Sequence, residues 1–123
     1  MAFELLRTSA GFDAASAITE QVVVSLHTAE GKVIKTGSGA QVPFGVVGRA
    51  ASAAGEQVPV YDKGNYVKVK AAASIGVGAL VGVVGSNSLT LTASGSWAVG
   101  RSVSPAAAGE FFTCYVDPQK ADS

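Results

Sequence analysis

The stretch Val58-Pro59-Val60-Tyr61-Asp62-Lys63-Gly64-Asn65-Tyr66-Val67-Lys68-Val69-Lys70 decides the fold class. Its two flanking runs alternate apolar and polar residues with period two, the spacing of a strand that buries one face. Asp62 to Asn65 is turn chemistry, so a hairpin is expected, with Val67 and Val69 facing in and Lys68 and Lys70 facing water. The same period recurs on both sides. Val22, Val24 and Leu26 share one face of residues 21–28, and after Glu30-Gly31-Lys32 a second arm resumes at Val33-Ile34. Residues 42–47 read as a strand whose Pro43 end is confined to an edge, because proline has no N–H to donate. Further strands are expected over 79–84, 89–92, 97–99 and 111–116, the last closed by Asp117-Pro118. Strands recurring about every 8–12 residues with Gly-rich turns predict a sandwich or barrel. Helical periodicity is confined to single turns, one within 14–21 and one within 50–54. The fold class is therefore all-β, a small barrel or tulip-like domain.

The bulk numbers bound the function. At 123 residues the chain fits one domain with one core. Nine basic and nine acidic residues cancel without forming runs. That argues against a nucleic-acid partner, which needs a basic patch to displace counterions from phosphates. Cys114 is the one cysteine, so no intrachain disulfide framework exists. Glu4 and Arg7 interrupt the N-terminal apolar residues, which therefore do not read as a signal peptide. The most apolar stretch, 75–84, contains Gly76, Gly78 and Gly82 and falls short of the roughly 20 residues of a spanning helix. Cytosolic synthesis and no membrane partner are the expectation.

An internal repeat organises the chain. Val47-Gly48-Arg49 precedes Ala53-Ala54-Gly55-Glu56 and a strand ending at Asp62; Val99-Gly100-Arg101 precedes Ala107-Ala108-Gly109-Glu110 and a strand ending at Asp117. The copies span about residues 22–62 and 79–117, which predicts two similar β halves related by a pseudo-twofold on one core. Residues 1–20 lie outside this repeat and are expected to form an extended N-terminal arm, 21–118 the β domain and 119–123 a tail. The arm carries Phe3, Leu5, Leu6, Arg7 and Phe12 as candidates for contact with a partner surface.

Catalytic readings are weak. His27 is the one histidine, and no serine sits in a Gly-x-Ser-x-Gly elbow that would make it a nucleophile. Cys114 alternates with Phe112 and Val116, the place of a small buried hydrophobe, and no neighbouring cation would activate it. One histidine, one cysteine and scattered carboxylates give no ligand cluster, so no metal and no cofactor is expected. Gly76, Gly78 and Gly82 miss the dinucleotide spacing and lead into a strand rather than a phosphate-binding helix. Arg49 and Arg101 take matching places in the repeat, where each could close a turn onto Glu56 or Glu110 or reach a subunit interface; Trp97 is a candidate core or interface anchor.

The two Gly-Arg…Ala-Ala-Gly-Glu-strand units at 48–62 and 100–117, with Asp62-Lys63-Gly64-Asn65-Tyr66-Val67-Lys68-Val69 and Ile75-Gly76-Val77-Gly78-Ala79-Leu80-Val81, resemble the decoration (cement) proteins of tailed-bacteriophage capsids over about residues 20–118. The resemblance implies a barrel- or tulip-like fold without catalytic residues, located on the capsid exterior. It implies binding to the major capsid protein, and a homo-oligomer, a trimer where the site is a local threefold. Residues 1–20 are then expected to order on the shell, for instance as an added strand. Two rival classes are a glycan-binding or adhesive module using Trp97, Tyr61 and Tyr66, and a small hydrolase using His27.

Overall fold

The computed structural model describes residues 10–18, 22–26, 32–37, 42–48, 50–84, 88–92 and 96–121. Ten strands and no helix occur among them. Strands β1 (Ala10–Ala14), β2 (Val23–Leu26), β3 (Lys32–Lys35), β4 (Gly45–Val47) and β5 (Gln57–Tyr61) close into a barrel in the order β1-β3-β2-β4-β5. Strands β6 (Tyr66–Lys70), β7 (Leu80–Val84), β8 (Ser88–Leu91), β9 (Trp97–Ser102) and β10 (Phe111–Lys120) form a second sheet in the order β6-β10-β9-β7-β8. All pairings are antiparallel except β1 with β3. The second sheet curls until Ala71 and Leu89 form a parallel bridge.

The two halves match residue for residue. Phe12 faces Val58 as Val69 faces Phe112. Ala14 N donates to Glu56 O at 2.8 Å, and Ala71 N to Glu110 O at the same distance. The bridge between Ile18 and Ala51 returns as Ile75 with Ala106. Ala15 N reaches Val33 O, and Ala72 N reaches Leu89 O. The repeat therefore begins at β1, whose counterpart is β6, and Asp13-Ala14-Ala15-Ser16-Ala17-Ile18 is the partner of Lys70-Ala71-Ala72-Ala73-Ser74-Ile75. Both turns Ala-Ala-Gly-Glu use a left-handed glycine, Gly55 at φ 92° and Gly109 at φ 87°, where a Cβ would be strained.

This register corrects several expectations. The arm expected over 1–20 is, from Ala10 to Ala14, a barrel strand held between β5 and β3; residues 1–9 lie outside the described residues. The hairpin expected across Asp62–Asn65 does not form. Strand β5 pairs with β1 and β4, and β6 with β10, so the turn hands the chain from barrel to sheet. Gly64 N donates to Val116 O at 3.0 Å, and buried Asn65 closes the turn through Nδ2 to Asp62 O, also at 3.0 Å. Alternation makes two strands but does not choose their partners. The tail expected from residue 119 starts inside β10, which runs past Pro118 with a register shift between Val116 and Gln119. A bulge is where a strand tolerates the missing N–H of proline.

Two hydrophobic clusters replace the single core. Val24, Val33, Val47, Val58 and Val60 fill the barrel with Ala14, Ile18 and Ala51, and Phe12 and Phe44 pack against them. Phe112, Cys114, Val67, Val69, Val81 and Leu89 fill the second sheet, joined there by Val23 and Val46 from the barrel. Strands β2 and β4 are thus buried on both faces: even-and-odd neighbours serve different cores. At roughly 1.5–3 kcal/mol per buried aliphatic side chain, Val23 and Val46 contribute several kcal/mol to docking one half on the other. The contact is not a twofold. Register equates Val23 with Leu80 and Val46 with Arg101, and Arg101 is exposed. A twofold would bury both copies of one face; here one copy is buried and the other open.

Candidate functional site

The expected site residues fall in separate places. Phe12, on β1, is half-buried with its ring centroid 5.3 Å from that of Phe44, so it seals the barrel. Phe3, Leu5, Leu6, Arg7, Arg49 and His27 lie outside the described residues. Trp97 opens β9, half-buried, with Lys120 as its strand partner. Arg101 is exposed, and its Nη1 donates to Gly78 O at 3.0 Å rather than closing onto Glu110. The Glu110 carboxylate instead accepts from Ala107 N at 2.8 Å, fixing its own turn, and Glu56 accepts from the Ser52 hydroxyl. Position 101 matches Val46, so Arg49 and Arg101 are not counterparts: the Val-Gly-Arg letters align three residues away from the backbone register.

Among the described residues no catalytic constellation assembles. Cys114 is fully buried in the second cluster, and burial pushes its thiol up to about 12, far from a reactive thiolate. Among the described residues no group of three or more His, Cys, Asp or Glu side chains gathers to hold a metal. Tyr61, Tyr66 and Trp97 do not form one aromatic platform. Tyr61 packs against the second cluster, while Tyr66 pairs with Tyr115 at 5.0 Å.

What the surface does offer is apolar area at matching points of the two halves. A hollow of about 360 Å³ opens at the barrel mouth, lined by Ser25, Leu26, Val42, Pro43 and Phe44. A second, of about 200 Å³, lies against the sheet beside Gly82, Val84, Thr90, Leu91, Thr92 and Trp97. Register equates Ser25 with Gly82 and places Val42 and Trp97 three residues before the matching glycines Gly45 and Gly100. Leu26, Val42, Val84 and Leu91 are exposed large hydrophobics at these two places. Sequence reasoning missed them because alternation assigned Leu26 to the interior; it does share the inward face of Val24, but at the open end of the strand. One polar difference separates the hollows. Ser25 Oγ and Thr36 Oγ1 are hydrogen-bonded at 2.7 Å, whereas Gly82 leaves the matching Thr92 Oγ1 buried with no partner among the described residues.

Beside this two-lobed β fold and its apolar surface stands a family match: residues 10–117 fit the family described as phage cement protein. The chain belongs to that family. The matched span starts with β1, in agreement with the repeat beginning there. This cement protein is a structural, virion-associated phage protein and not an enzyme. Its fold is similar to that of the head fibre gp8.5 N base of bacteriophage phi29. The TM-score is 0.70 at 16% identity, with 94% of this chain and 95% of that one covered. Comparison with curated proteins gives no match.

Proposed function

We propose that this cement protein binds the outer surface of the assembled capsid and stabilises it by bridging major capsid protein subunits, acting as a trimer. The family carries the reading. Apolar surface left open on a chain with no net charge supports it, since exposed apolar patches mark protein contacts. A protein that binds the assembled shell and not its dissociated subunits stabilises assembly by mass action, and several weak contacts per oligomer add by avidity. Residues 1–9 precede β1 in the sequence and carry Phe3, Leu5, Leu6 and Arg7; we assign them to shell contact. The test is to add the purified protein to shells assembled without it, then to heat the particles. Saturable binding and a raised temperature of capsid disruption support the reading; binding only to free capsid protein contradicts it. Removing residues 1–9 should abolish binding while leaving the melting of the free protein unchanged.

A further inference from the structure

The chain makes one contact between its halves and carries the unfilled complement of each side. In that contact Val23 and Val46, on the outer face of β2 and β4, join the core of the second sheet, where Val83 and Val99 are also buried. Register gives each participant a twin. Val23 and Val46 correspond to Leu80 and Arg101, and Tyr61 corresponds to Tyr115; Val83 and Val99 correspond to Leu26 and Phe44. Arg101 and Leu26 are exposed, and Leu80, Tyr115 and Phe44 are half-buried. Val46 is 2% exposed whereas Arg101 stands open, and Val83 is 5% exposed whereas Leu26 is 59% exposed at the rim of the hollow at the barrel mouth.

We propose that the barrel mouth of one copy, at Leu26, Val42 and Phe44, receives the Leu80–Arg101–Tyr115 face of a second copy. This deepens the oligomeric clamp proposed above and rests on that reading for its setting. The contact would continue between chains the one already made within the chain. Joined surfaces that differ from one another build a head-to-tail series, which closes into a ring when the rotation per step divides a full turn. Three chains in such a ring present six equivalent lobes. A face covered only on assembly must also stay soluble before it. Arg101 in place of Val46 meets that need, with its guanidinium on Gly78 O and its charge in water.

The test combines sedimentation with cross-linking on the full chain. Wild type should sediment as an oligomer, and Leu26→Asp and Leu80→Asp should each reduce it to monomer with unchanged far-ultraviolet circular dichroism. Phe111→Asp, on an exposed side chain outside both surfaces, should leave it assembled. A short bismaleimide should join Leu26→Cys to Leu80→Cys copies in a mixture, and neither variant alone; the buried thiol of Cys114 does not compete. A monomeric wild type, an oligomer that survives either aspartate, dissociation by Phe111→Asp, or cross-linking of Leu80→Cys to itself would each overturn the proposal. Shell binding is read separately. A monomer that still decorates shells defeats this contact alone, and a head-to-tail oligomer that ignores shells defeats the clamp alone.

Discussion

Replacing Gly100 by alanine should be among the most damaging single-methyl changes in the chain. Gly100 sits on β9 opposite Val116, and a Cβ there would overlap the Tyr115 carbonyl oxygen and lie 2.9 Å from Asp117 N. Both obstacles are main chain of β10, so no rotamer relieves the clash. The matching Gly45 meets the matching carbonyl, Tyr61 O, at 2.5 Å, so the constraint belongs to the repeat and not to one loop. Overpacking costs about 1–3 kcal/mol where side chains give way; here the backbone must move, and the upper end applies. With an unfolding entropy near 2.1 cal/mol/K per residue, 123 residues turn that upper end into a melting temperature lowered by about 12 °C. Gly76→Ala is the control. A Cβ there meets nothing within 4 Å and the backbone is not left-handed, so the melting temperature should hold or rise slightly. Thermal melts followed by circular dichroism compare the two. If Gly100→Ala melts within about 4 °C of wild type, the close approach of β9 and β10 is not what this account takes it to be.

Three further outcomes follow from single groups. Thr92→Val should stabilise the fold by about 1 kcal/mol, because it removes a buried hydroxyl without a partner; a destabilised variant in urea titration would mean that hydroxyl is satisfied. Ser25→Ala should cost about 1 kcal/mol by removing the buried hydrogen bond between Ser25 Oγ and Thr36 Oγ1, checked in the same titration. Cys114 should ignore thiol reagents until the protein is denatured, and should also shape stability at high pH. Its folded pKa of about 12 lies above the usual 9.0, so the unfolded state loses the proton first and stability falls as pH rises between those values. Below pH 9.0 the contribution is intact; Cys114→Ala should flatten the decline, and an unchanged slope would refute the assignment.

The strands were readable wherever one face is buried and the other wet. Residues 66–70 alternate because β6 faces one core and one solvent side, and the turn glycines announced themselves by composition. Strand β1 was not readable. Ala10-Gly11-Phe12-Asp13-Ala14 alternates, with Gly11 and Asp13 exposed and Phe12 and Ala14 turned in, but it has no β-branched residue and is a strand because β5 and β3 flank it. Its repeat partner was hidden for the same reason, since only the register with Glu56 and Glu110 reveals that Ala14 and Ala71 are one position. The Val-Gly-Arg match is misleading because its identical letters stand three residues apart in the backbone register. What pins the repeat is the glycine that faces a tyrosine carbonyl, Gly45 in one half and Gly100 in the other. The surface was legible only in part. Trp97 was a candidate from its residue type alone, and the exposure of Leu26 comes from its place at the barrel mouth, which no local pattern contains.

The central claim is that a cement protein built of two repeated β lobes clamps the outside of an assembled capsid. The most direct measurement is cryo-electron microscopy of shells assembled without this protein and then mixed with it. The account predicts added density on the outer surface, repeated with the lattice and touching more than one capsid subunit per oligomer. Bare shells under saturating protein, or density confined to the interior or to single subunits, would contradict it.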